Sequence, residues 1–70
     1  MPPYEFVYIY DRTGYHSHGG PYNSPVDAID LLRGDRQLNR IVVIDRVTNR
    51  VVATVRRVGD RVQIDQEDEK

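Results

Sequence analysis

The chain contains no cysteine, which excludes disulfides, thiolate metal sites and cysteine nucleophiles. Its five glycines and four prolines are too few for a collagen-like or low-complexity protein. No apolar run approaches the ~18 residues of a membrane-spanning helix. The start, Met1-Pro2-Pro3-Tyr4-Glu5, lacks the basic and apolar regions of a signal peptide. A cytoplasmic location without membrane attachment is therefore expected. Lysine is nearly absent, one against nine arginines, a bias that codon usage in a GC-rich bacterial or phage genome accounts for. What remains is 70 residues, 39% hydrophobic and 30% charged: one small domain, at the low end of what a single core sustains.

The formal charge of −1 hides a segregation. Residues 1–32 sum to −3, residues 33–61 set eight arginines against three aspartates for +5, and residues 62–70 return to −3. The chain is thus basic in its middle and acidic at both ends.

Residues 4–10, Tyr-Glu-Phe-Val-Tyr-Ile-Tyr, are aromatic or β-branched almost throughout and predict a strand. Residues 11–23 are turn-like, a long connection for a compact domain. One reading of that stretch is a hairpin turn at Asp11–Gly14 with a short return strand from Tyr15 to His18. Ser24-Pro25-Val26-Asp27 carries helix-start chemistry: a capping hydroxyl, a proline suited to the first turn, and an acid near the dipole's positive end. The helix is expected over 25–33, ended by Gly34 in the left-handed region. Its apolar side is Ala28, Ile29, Leu31 and Leu32. Residues 40–46, 50–57 and 61–65 then have the spacing of an antiparallel meander. The fold expected is a two-layer α+β domain over residues 1–65, βαβββ, with four mostly antiparallel strands and one helix on one face. Residues 66–70 are expected to form an acidic disordered tail.

One short helix covers only one face of such a sheet. The helix-side core is expected to draw on Val7, Ile9, Val51, Ala53, Val55, Val62, Ile64 and one pair from Ile41 to Ile44. Tyr4, Phe6, Tyr8 and Tyr10 are then assigned to the open face, because buried phenols need partners and Glu5 would otherwise sit mid-sheet among apolar side chains. With Arg50, Val52, Arg56 and Arg61 they make an aromatic and arginine-bearing interaction face. Its expected use is contact with a protein partner or a second copy of the chain, since small domains without disulfides or metals gain stability by associating. Single-stranded nucleic acid is the alternative, through stacking and phosphate contacts. The sheet superficially resembles that of an RNA-recognition motif, but the order βαβββ and the missing Lys/Arg-Gly-aromatic signature depart from that family.

Catalytic chemistry is poorly represented, and a non-enzymatic protein without cofactors is expected. His16 and His18 provide two imidazoles where a metal site wants three or four ligands, so no metal is assigned. Gly19, Gly20 and Ser24 precede the helix N-terminus and form a candidate anion site. Neither a Walker pattern nor Gly-x-Gly-x-x-Gly accompanies them.

Overall fold

The alternation of bulky residues places a strand at each stretch named above, and the computed structural model, which describes residues 3–66, adds one more. The elements are β1 (Tyr4–Tyr10), β2 (Tyr15–Tyr22), α1 (Asp27–Gly34), β3 (Arg40–Asp45), β4 (Arg50–Val58) and β5 (Arg61–Gln66). They form a small α+β fold with a single five-stranded sheet in the order β2-β1-β3-β4-β5. Every neighbouring pair is antiparallel. The fifth strand is β2: the return strand expected to stop at His18 continues to Tyr22 through Gly19, Gly20 and Pro21. Glycine is needed at 20, where φ is +133° at the register shift facing Tyr4 to Phe6. The helical connection therefore joins β2 to β3 across the intervening strand β1.

The core contains Phe6, Ala28, Leu32, Leu38, Ile41, Val43, Ala53 and Val55, all buried. Tyr4, Tyr8, Tyr10, Tyr22, Val62 and Ile64 pack around it. Ala53, Val55, Val62, Ile64 and the pair Ile41 and Val43 lie where the pattern put them. The first strand does not. Phe6 is 0% exposed in one cluster with Ala28 and Leu32, so the aromatic side of β1 faces α1, and Val7 and Ile9 face away.

The added strand explains most of the reversal, because β2 supplies partners for Tyr8 and Glu5, and Asp35 after α1 supplies one for Tyr10. The Tyr8 and Tyr22 hydroxyls hydrogen-bond at 2.6 Å, and Tyr10 donates to Asp35 Oδ2 at 3.2 Å. Glu5 meets His18 Nδ1 at 2.6 Å on the other face. Tyr22 stacks on Phe6 with centroids 4.0 Å apart. Placing the rings inward thus buries more apolar area without stranding a phenol or the carboxylate.

Three smaller expectations are corrected. Ser24 does not cap α1; its Oγ accepts from the Val26 amide at 3.2 Å, the N-cap is Val26, and the helix begins at Asp27. Gly34 is the last helical residue and is not among the positive-φ glycines, which are Gly14, Gly20 and Gly59. The carbonyls at that end are taken instead by Arg57, whose Nη2 donates to Leu32, Asp35 and Leu38 at 2.5, 2.8 and 3.2 Å. The β3–β4 pairing shifts register between Val43 and Ile44, so Val51 rather than Val52 opposes Ile44 and Val52 packs against the core. Gln66 belongs to β5; the remainder of the expected tail, 67–70, lies outside the described residues.

Candidate functional site

The pleat sends alternate residues to opposite faces, so the register defines what the face away from α1 presents. Its central row runs His18, Val7, Val42, Thr54, Asp65 across all five strands. On one side lies Glu5, Ile44, Val51; on the other lies His16, Ile9, Arg40, Arg56, Gln63. Val7, Ile9, Val42 and Ile44 are half-buried by their neighbours alone, and Val51 is 41% exposed. Five β-branched aliphatics thus form a stripe that no second layer of the chain covers among the described residues.

Charges frame the stripe. The Glu5–His18 pair stands on one side. Arg40 and Arg56 face each other directly in register, an unfavourable like-charge pair, and each has a carboxylate nearby: Asp11 at 3.7 Å and Asp65 at 3.3 Å. These pairs are about half exposed, so each contributes about 0–1 kcal/mol. Their effect is to place both signs of charge around an aliphatic centre.

The residues singled out in the sequence are dispersed by this arrangement. Tyr4, Phe6, Tyr8 and Tyr10 lie on the helix side, with Phe6 sealed and the phenols half-buried at the rim. Val52 packs against the core, Arg50 opposes Asp45 at the start of β4, and Arg61 opposes Val58 at the β4–β5 turn. Arg56 thus lies on the open face, and Arg61 begins the row of β5 that continues through Gln63 and Asp65 on that face. The pattern assigns Val7 and Ile9 to the helix side; the run Ile41 to Ile44 gives no facing by itself, and it is the pair Val42 and Ile44 that faces out. The alternation Tyr15-His16-Ser17-His18 was the available signal for β2, and with it for His16 and His18.

Gly19 and Gly20 line a cleft of about 270 Å³ with Glu5, His18 and Arg46. Ser24 does not line it, so the proposed trio of anion ligands does not assemble. His16 and His18 sit on a strand rather than in a loop, with ring centroids 6.4 Å apart. Among the described residues no group of three or more His, Cys, Asp or Glu is placed to hold a metal ion. Two further clefts open on the helix side. One of about 630 Å³ is lined by Tyr10, Arg12, Thr13, Tyr15, Asp35 and Gln37. The other, about 510 Å³, is lined by Arg33, Arg57, Asp60, Arg61 and Val62.

Burial, and then the hydrogen bond to Tyr22, hold the Tyr8 phenol well above its ordinary value of 10.0. Tyr10 is raised too, by desolvation and by the bond to Asp35. Both phenols are structural donors and acceptors at neutral pH. Among the described residues, no helix is long and apolar enough to cross a membrane. Comparison with protein-family models, curated proteins and solved structures finds no match, so the functional reading rests on the chain's own residues.

Proposed function

We propose that this chain is a small non-enzymatic interaction module that pairs with a second copy of itself through the open sheet face. The supporting observation is the aliphatic stripe of Val7, Ile9, Val42, Ile44 and Val51, uncovered by the described residues and bordered by both signs of charge. A self-complementary contact needs such a border, because a face of one sign repels its copy. The sheet edges are less suitable. Pro21 in β2 has no amide to donate, and β5 carries Arg61, Gln63 and Asp65, features that blunt edge pairing.

Area sets the strength. The molecule measures 30 × 22 × 19 Å, and five strands spaced ~4.8 Å apart offer on the order of 500 Å² per copy. A total of roughly 1,000 Å² is at the weak end of specific interfaces, which points to a dissociation constant in about the micromolar range. Sedimentation equilibrium between about 5 and 500 μM tests this. A dimer that Val42→Ser abolishes, with the circular dichroism spectrum retained, supports the reading; a monomer throughout that range rejects it. Nucleic-acid stacking has less support, since the rings it needs lie beneath α1 or at its rim. A protein partner of other sequence, docking on the same stripe, is the remaining use of the face.

A further inference from the structure

We propose that the cleft between the end of α1 and the β4–β5 turn binds an oxyanion of the phosphate class. Three arginines from three elements line it, Arg33 from α1, Arg57 from β4 and Arg61 from β5, with Asp60 the one acidic residue among them. That is a formal +2, which matches a phosphate dianion. A cleft of about 510 Å³ admits such a group together with part of a larger molecule.

Arg57 is the fixed element. Its Nη2 is held by the carbonyls of Leu32, Asp35 and Leu38, which orient the guanidinium but carry no net charge. Its Nε is buried without a hydrogen-bond partner and out of a ligand's reach. These carbonyls bring the partial negative charge of the helix end but no full counter-charge, so an anion nearby can still offset the half-buried guanidinium through space. Arg33 and Arg61 are exposed, with no ion pair among the described residues, and helix capping uses neither. Both are free to present their forks to tetrahedral oxygens, the geometry guanidinium recognises best.

The experiment is a titration of the full chain with inorganic phosphate against chloride at matched ionic strength, followed by amide chemical shifts. Val42→Ser serves as the background, so that self-association and anion binding are read separately. Saturable shifts confined to residues near 33, 57 and 60–62, weakened about tenfold or more in Arg33→Gln/Arg61→Gln, are the expected result. Adenosine monophosphate and a phosphoserine peptide are run beside it. Tighter binding of either at the same amides identifies a nucleotide or a phosphorylated protein as the source of the group, and equal binding identifies free phosphate. Shifts that do not saturate, that chloride reproduces, or that persist unchanged in the double variant overturn the proposal. Arg57 is left intact throughout because it also holds the helix end.

Discussion

Tyr8 shows how one side chain ties the sheet's edge to its core. Its ring crosses over Gly19, its hydroxyl meets that of Tyr22, and it stands edge-to-face with the Phe6 ring, centroids 6.5 Å apart. A methyl at Gly19 would collide with the phenol, so Gly19→Ala must swing the ring and break the Tyr22 bond. Overpacking of this kind costs about 1–3 kcal/mol, to be seen as a lower urea midpoint with an unchanged slope. The raised Tyr8 value gives a pH dependence of definite sign. Below the unfolded phenol's 10.0 both states are protonated and its contribution is complete. Above it the unfolded chain ionises first, so stability falls as pH rises toward the folded value. Urea unfolding at pH 8, 10 and 11 should show that fall in the native sequence and a shallower one in Tyr8→Phe. That variant should also lose about 1 kcal/mol at pH 8, from the deleted hydrogen bond. Equal slopes in the two proteins would assign the alkaline loss to other groups.

At the scale of elements, α1 has eight residues, too few to stand in water without tertiary support. Its N-terminus has no side-chain cap, and its other end relies on Arg57 rather than on a left-handed glycine. Arg57→Met keeps the apolar stem but leaves the carbonyls of Leu32, Asp35 and Leu38 without that donor. A loss of about 2–4 kcal/mol is expected, along with faster amide exchange in α1 than in β1 or β3. Uniform acceleration across the sheet would show that Arg57 supports the whole core and not this one helix. The β2 strand is anchored differently, through Tyr22 on the core face and His18 on the open face. The side chains of His18 and Glu5 are 60% and 36% exposed, so His18→Ala should change stability by less than about 1 kcal/mol. A larger loss by thermal or urea denaturation would mean that the pair, rather than the aromatic contact, holds the edge.

For the whole molecule, the decisive quantity is coverage. One helix lies against five strands, so one face is closed by Ala28 and Leu32 and the other shows aliphatic side chains to solvent. Association should therefore depend on Val7, Ile9, Val42 and Ile44 and not on the tyrosines. Phe6→Ser is expected to unfold the chain, since removing a large buried ring costs about 3–5 kcal/mol, a large part of what so small a core provides. Val7→Ser should leave the fold intact and weaken the dimer. Measuring both variants by circular dichroism and sedimentation separates core from interface. A folded, dissociated Phe6→Ser protein would restore the ring to the surface.

The positions of β1, β3, β4 and β5 along the chain were legible in the sequence to within a residue because alternation, turn residues and chain length act locally. Tyr4 to Tyr10 is strand-like on either face, and Gly59-Asp60 turns the chain whatever surrounds it. Locality failed where a choice depended on a neighbour distant along the chain. Tyr15 to Tyr22, with two glycines and a proline, has weak strand propensity, and its pairing with β1 makes it a strand. Once it pairs, Tyr22 and His18 satisfy Tyr8 and Glu5, and the first strand rotates its rings toward the helix. The shift at Val51 and Val52 likewise has no sequence mark, since either valine suits either face. Local chemistry thus determined which segments are extended and which is helical. Tertiary structure alone decided which side of each strand is buried, because facing is fixed by hydrogen-bond partners and packing space that only the assembled sheet provides.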